Sequence, residues 1–188
     1  KVPGAEKFKG KGISVCATCD GPFYKDKKVA IIGGGDTALT EAEFLTKFAS
    51  NVFIIHRREN YRAQEILKKR IRQSEKIVQL FNSEVTEFLG DDSLSGLKLE
   101  SKYQVNSEKR QEEVKDYPEF ASEVIEKNDQ EIVWELALDG AFLAIGYIPN
   151  TDYIGDFVDK DDRGYVITKD EVFTSEKGVL AAVYCVDY

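Results

Sequence analysis

The sequence predicts an α/β fold in which a parallel sheet with flanking helices carries an antiparallel β insertion. Largely apolar runs at 29–32 (VAII), 51–55 (NVFII) and 140–145 (GAFLAI) read as strands buried on both faces. Helical spacing follows the first run and recurs over 61–72, and strands alternating with helices pack as a parallel sheet with right-handed crossovers. The rhythm then breaks. Residues 84–89, 94–101 and 130–138 read as strands with no long helix between the first two, which are joined by a turn signal at Gly90-Asp91-Asp92.

Taken in order, residues 1–11 are charged, with a Pro3-Gly4 turn, and read as a linker or arrival segment. Residues 12–24 hold the run Cys16-Ala17-Thr18-Cys19-Asp20, and 25–28 form a basic turn into the first buried strand. Three glycines, Gly33, Gly34 and Gly35, close that strand, and Ala38, Ala42, Leu45 and Phe48 then mark one face of a helix. The second strand ends at His56-Arg57-Arg58. Over 61–72, Ile66, Leu67 and Ile71 share a helical face, and 77–81 reads as a third strand. Within the insertion, 102–129 is dense in Glu and Lys and reads as a solvated connection or a short surface helix, the latter suggested by Phe120, Val124 and Ile125. After the strand at 140–145 comes a loop at 146–151. Residues 152–188 carry a turn signal at 161–164 and short apolar runs at 165–167 and 179–183.

Composition narrows the function classes. A chain of 188 residues suits one domain, or one plus part of another. No apolar run approaches the ~20 residues of a membrane span, and none near the start resembles a signal peptide. A net charge of −8 argues against nucleic acid as the main partner, because phosphate binding needs a basic surface. Three cysteines, two of them close together, do not make a disulfide scaffold and point to a reducing compartment, the cytoplasm or an organelle. With Lys1 first and no methionine, the chain is expected to begin inside a longer polypeptide or to have been processed.

Three groups of residues carry chemistry. Gly33-x-Gly35-x-x-Ala38 follows a strand and opens a helix, the context that makes a glycine motif a Rossmann-like dinucleotide site. Gly33 permits the tight turn, Gly35 lets a pyrophosphate approach the backbone, Ala38 allows close packing, and the helix N-terminus faces the phosphates. At the end of the second strand, where an acidic residue would hold a ribose 2′-hydroxyl, the chain has His56, Arg57 and Arg58, with Arg62 further on. Guanidinium groups bind a 2′-phosphate by charge-assisted bonds, so the cofactor expected is NADPH rather than NADH. His56, the sole histidine, is expected to pack beside that phosphate site rather than act as a base. The Cys16–Cys19 pair can be a redox dithiol, half a zinc site, or incidental. Zinc lacks a second ligand cluster, since only Cys185 and His56 remain, and a redox pair fits better. A helix N-terminus near Cys16 would stabilise its thiolate, and Asp20 is placed to exchange protons. Cys185 reads as a small buried residue.

The runs CATCD, VAIIGGGDTALTEA, HRRENYRA and AIGYIPNT together resemble the low-molecular-weight, bacterial and plant type of thioredoxin reductase, in that family's order and at about its spacing. The resemblance covers the chain except 102–129. It implies that Cys16 and Cys19 form the redox-active disulfide and that Asp20 serves as its acid. It further implies that Gly33, Gly34, Gly35, Asp36, Thr37 and Ala38 hold the pyrophosphate region, that His56, Arg57, Arg58 and Arg62 hold the 2′-phosphate, and that Ile145 and Gly146 lie near the nicotinamide. Residues 1–151 would be the NADPH-binding domain and 152–188 a return segment toward an FAD domain. The parent enzyme is a homodimeric flavoprotein that passes electrons from NADPH through FAD to the dithiol and on to thioredoxin. The family's N-terminal FAD domain has its own GxGxxG motif, with nothing before Lys1 to match it, and Val183-Tyr184 stand where the family has a Gly-Asp pair against FAD. The expectation is therefore that this chain does not bind FAD tightly. A non-catalytic NADPH-binding regulatory module, or part of an alkyl hydroperoxide reductase flavoprotein subunit, are the alternatives.

Overall fold

The computed structural model describes residues 2–102, 120–128, 130–146, 148–182 and 185–186. The chain divides into two compact units, Lys1–Ile145 and Gly146–Tyr188. In the first, β1 (Ile13–Ser14) leads into a one-turn helix α1 (Ala17–Asp20) and a 3-10 turn (Gly21–Tyr24). There follow β2 (Lys28–Gly33), α2 (Asp36–Leu45), β3 (Asn51–Ile55), α3 (Glu65–Arg72) and β4 (Ile77–Leu80). The insertion comprises β5 (Ser83–Gly90), β6 (Leu94–Lys102), β7 (Glu123–Lys127) and β8 (Glu131–Ala137), before β9 (Gly140–Ala144) returns to the first sheet. That sheet has five parallel strands in the order β1-β9-β2-β3-β4, and the insertion forms a four-stranded antiparallel sheet in the order β5-β6-β8-β7.

The apolar runs have no polar alternation because both faces of the parallel sheet are covered. Val29 and Ile31 of β2, with Val52 and Ile54 of β3, join Ala38, Leu39, Ala42 and Leu45 of α2 and Ile71 of α3 in one core. Their neighbours Ala30, Phe53 and Ile55 point the other way, into a second core with Leu97, Leu99, Ile132, Trp134 and Leu136 of the antiparallel sheet. The period of two thus sorts one strand between two cores. Within the second core, Ser101 is a polar node: Trp134 Nε1 donates to its Oγ at 3.0 Å, and its hydroxyl lies 2.7 Å from that of Ser83. Ser101→Ala is expected to cost about 1–2 kcal/mol, read from denaturant unfolding followed by the fluorescence of Trp134, the sole tryptophan.

Local expectations needed three corrections. The helix read over 61–72 begins only at Glu65, because Tyr61 and Ala63 are buried in the preceding loop and Gln64 is held from outside the helix. The surface helix suggested by Val124 and Ile125 is instead the edge strand β7, paired to β8 with both side chains exposed. Two adjacent β-branched residues favour an extended chain over a helical turn. The central part of that connection, 103–119, lies outside the described residues. Cys185, expected buried, is only partly so, and its thiol donates to the Ala182 carbonyl.

The second unit has little regular structure: a 3-10 turn at Asp152–Ile154 and isolated bridges such as Lys160 with Val166. Asp161 organises its main turn, accepting from the backbone N–H groups of Arg163 and Tyr165 and from the Arg163 guanidinium. Val183 and Tyr184, contrasted above with a flavin-contacting pair, lie outside the described residues. Among the described residues no helix is long and apolar enough to cross a membrane.

Candidate functional site

The carboxyl ends of β2, β3 and β9 lie side by side, with Ile32 opposite Ile55 and Gly33 opposite Ala144. In an open parallel sheet this edge is where ligands bind. The chain leaves β2 through Gly33, whose φ of +155° and close approach to β9 admit no side chain: a Cβ there would sit 2.3 Å from the Ala144 carbonyl oxygen. The same atom would lie 3.0 Å from Ala38 Cβ, so the small residue at 38 is what lets α2 settle on the strand. At Gly34 an added Cβ would strike the His56 ring, 2.3 Å from Nδ1. Gly35 differs. It is the N-cap of α2 with φ −95°, an ordinary backbone conformation, and a Cβ there would meet nothing within 4 Å. The first two glycines answer to the fold, whereas the third keeps an open cradle at a helix N-terminus, the shape a pyrophosphate requires.

The loop after β3 is tied to this turn. The Arg62 backbone N–H donates to the Gly34 carbonyl, and Asp36 accepts from the Gln64 backbone N–H at 2.8 Å and from its amide at 3.1 Å. Asp36, assigned above to the pyrophosphate region, thus has its carboxylate engaged in joining the start of α2 to the start of α3. Thr37 is exposed in the first turn of α2. His56 is 8% exposed, its Nε2 is 3.1 Å from the Asn60 carbonyl, and its ring packs on Tyr61. It braces the glycine turn from beneath. Burial holds its pKa below the usual imidazole value despite the Asn60 bond, and the cationic Arg58, Arg57 and Arg62 add to the depression. The ring is therefore neutral at pH 7, and the positive charge at this edge comes from the arginines. Arg57, Arg58 and Arg62 are all exposed, and among the described residues none of their guanidinium groups forms an ion pair.

The depressed pKa has a signed consequence. As pH falls below 6.5, the unfolded imidazole takes up a proton that the buried ring resists, so stability is lost as pH drops toward the folded pKa. Unfolding free energies between about pH 7.5 and 5.5 should fall more steeply for the wild type than for His56→Gln.

The second part of the site is the Cys16–Cys19 disulfide, with Cα atoms 5.3 Å apart. Cys16 caps α1: its Sγ accepts from the Cys19 backbone N–H at 3.2 Å and lies 3.4 Å from the Thr18 hydroxyl. Cys16 is partly buried and Cys19 exposed, and Ala17 between them is fully buried against α2. Asp20 ends the same turn, and its charge helps burial to raise the Tyr24 phenol. Cys16 thus stands at the N-terminus of a one-turn helix. Among the described residues no group of three His, Cys, Asp or Glu side chains gathers as a metal site. Ile145 follows β9 and is 71% exposed, and Gly146 takes φ +95°.

Sequence reasoning passed over two residues here. Gln64 donates to Asp36 across 28 positions, which no local pattern reveals. Glu41 sits on α2 between the inward-facing Ala38 and Leu45, so a carboxylate beside a buried face was the available signal.

Residues 1–186 match the family model described as pyridine nucleotide-disulphide oxidoreductase. The chain is 37% identical over 188 residues to a thioredoxin reductase of Mycolicibacterium smegmatis, covering 100% of this chain and 52% of that protein. It is 38% identical over 174 residues to a thioredoxin reductase of Borreliella burgdorferi, covering 93% of this chain and 45% of that protein. Among solved structures it resembles Lactococcus lactis thioredoxin reductase in its FR conformation, with a TM-score of 0.76 and 31% identity over 100% of this chain and 54% of that one. The T. acidophilum thioredoxin reductase gives a TM-score of 0.74 and 30% identity, over 99% of this chain and 53% of that one. The chain spans about half the length of the curated relatives it matches.

Proposed function

Because the chain belongs to the pyridine nucleotide-disulphide oxidoreductase family, we propose that it is the NADPH-binding, dithiol-bearing part of a thioredoxin reductase. The observation that carries this reading is the open cradle at Gly35 beside three arginines whose charge no carboxylate neutralises among the described residues. The cradle suits a diphosphate, and the arginines suit the extra phosphate that distinguishes NADPH from NADH. Residues 1–151 are the nucleotide-binding domain in this reading, and 152–188 return toward an FAD domain of the complete enzyme.

Gly33, Gly34, Gly35, Thr37 and Ala38 would shape the pyrophosphate site, with Asp36 fixing the turn through Gln64. Arg57, Arg58 and Arg62 would hold the 2′-phosphate over the neutral His56, and Ile145 and Gly146 would lie toward the nicotinamide. Bound NADPH would supply the hydride, with FAD in the complete enzyme supplying the two-electron relay to the disulfide. The chain's own residues hold the Cys16 sulfur at the α1 N-terminus, where the Cys19 N–H stabilises it as a thiolate, and present the exposed Cys19 to solvent. Asp20, at the end of the same turn, would exchange the proton. Thioredoxin is the protein substrate of this reading.

Two measurements test it. Titration should show NADPH binding at least about tenfold tighter than NADH. Counting free thiols before and after reduction should show two gained, at Cys16 and Cys19. Equal affinities would remove the phosphate site, and an unchanged thiol count would remove the dithiol.

A further inference from the structure

Gly35 and Gln64 are the N-caps of α2 and α3, and neither gives its own helix a side-chain hydrogen bond. An N-cap side chain ordinarily serves the free N–H groups of its own first turn. Gln64 turns elsewhere. Its backbone N–H donates to Asp36 Oδ1 at 2.8 Å and its side-chain amide donates to Asp36 Oδ2 at 3.1 Å, so one residue engages both carboxylate oxygens across 28 positions. Both residues are exposed. Water competes for such a bond, which therefore adds little to stability. Its placement is what sets it apart.

The bond closes the loop 56–64, which presents its arginines from two differently anchored ends. Arg57 and Arg58 follow β3, where the backbone is held by the strand end and its neighbours. The His56 N–H donates to the Leu80 carbonyl, the Ser83 N–H to the His56 carbonyl and the Asn82 N–H to the Arg58 carbonyl. Arg62 belongs to the other end. It is exposed between the buried Tyr61 and Ala63, and its N–H donates to the Gly34 carbonyl at 2.8 Å. Gly34 precedes the Gly35 cradle and Asp36 follows it. Residues 62 and 64 therefore grip the chain on either side of the cradle. Arg62 is tied to the glycine turn itself, whereas Arg57 and Arg58 are tied to the sheet.

We propose that Asp36 and Gln64 are specificity-determining positioning residues: their two-point bond sets the reach of Arg62 from the Gly35 cradle, and with it the preference for a nucleotide that bears a 2′-phosphate. The inference rests on reading this edge as the NADPH site. A guanidinium held in place before the ligand arrives loses less freedom on binding than one on a loose loop. Breaking the bond therefore weakens the contact to the added phosphate, while the pyrophosphate common to both nucleotides keeps its cradle. The Asp36 charge acts in the opposite direction. A carboxylate repels anions, so removing its charge alone would favour NADPH, the more negative nucleotide, over NADH. Positioning and charge thus carry opposite signs.

The test titrates the full chain with NADPH and with NADH and compares the ratio of the two affinities among variants. Asp36→Ala loses both bonds and the charge, and its ratio should fall about threefold or more below the wild type. Asp36→Asn loses the same charge but can rebuild both bonds once the Gln64 amide turns over, its own amide then donating to the Gln64 oxygen. Its ratio should stand about threefold or more above that of Asp36→Ala. Gln64→Ala keeps the backbone bond and the charge, and its ratio should fall about twofold. Equal ratios in Asp36→Ala and Asp36→Asn would overturn the proposal. So would a parallel loss of both affinities, which would mark a brace of the turn with no part in selectivity. Denaturant unfolding followed by Trp134 fluorescence shows whether each variant is folded. Should Asp36→Ala not fold, an unchanged ratio in Gln64→Ala would overturn the proposal by itself. A wild type that binds the two nucleotides alike removes the NADPH reading and this inference with it, whereas a wild-type preference retained in Asp36→Ala removes the inference alone.

Discussion

Alanine substituted in turn at Gly33, Gly34 and Gly35 should give three different proteins. Gly33→Ala is expected to lose about 3 kcal/mol or more, a large share of the 5–15 kcal/mol that holds a domain together. Its methyl would sit 2.3 Å from the Ala144 carbonyl oxygen, and that backbone is fixed by the β2–β9 ladder, so nothing cheap can move. The φ of +155° adds strain of its own. Gly34→Ala displaces a side chain instead of a backbone. The His56 ring must leave the 2.3 Å contact and with it Asn60 and Tyr61, at about 1–3 kcal/mol. Gly35→Ala should fold at a cost of about 1 kcal/mol or less, the difference between glycine and alanine as an N-cap. Its methyl enters the cradle a diphosphate would use, so NADPH and NADH should both bind about tenfold or more weakly. Denaturant unfolding and nucleotide titration of the three variants check this. If Gly35→Ala binds as the wild type does, the cradle is not the pyrophosphate site.

That division within one glycine run shows where sequence reading stops. The motif announced the turn because a strand precedes it and a helix follows, and both neighbours follow from local spacing. Which glycine is closed by the fold and which is left open depends on β9 and His56, placed there by residues roughly 20 to 110 positions away. The same holds at α1. The spacing of Cys16 and Cys19 suggested a redox pair, with a helix N-terminus at Cys16 only a condition placed on that reading. The seating of Gly21 against Leu45, Phe44 and Phe48 was not legible, because α1 and α2 are joined only by tertiary packing. In the insertion, β5, β6 and β8 were legible, β6 and β8 with near-regular alternation of buried and more exposed positions and β5 beside a turn signal. β7 was not, since all five of its residues are exposed and an edge strand without a buried face leaves no periodic mark.

The arginines should show the largest effect on recognition. In Arg57→Ala/Arg58→Ala, NADPH affinity is expected to fall about a hundredfold, with NADH affinity nearly unchanged. The asymmetry follows from what the two nucleotides share. Both would present a pyrophosphate to the Gly35 cradle, which the double variant leaves intact. Only NADPH adds a phosphate at the ribose, and each charge-assisted bond to it is worth about 1.5–3 kcal/mol. Because both guanidinium groups are exposed and make no ion pair among the described residues, their removal strands no partner, and stability should change by no more than about 0.5 kcal/mol. The preference of the wild type for NADPH should also shrink as salt rises, since exposed charges are screened over about 8 Å at physiological ionic strength. A steric origin would leave it constant. His56 offers an internal control on the source of the charge. Buried and held neutral by its surroundings, it should not acquire a proton when the pH is lowered from 8 to 7, so the preference should stay level across that interval. A preference that climbs steeply there would make the imidazole, rather than the guanidinium groups, the phosphate's partner.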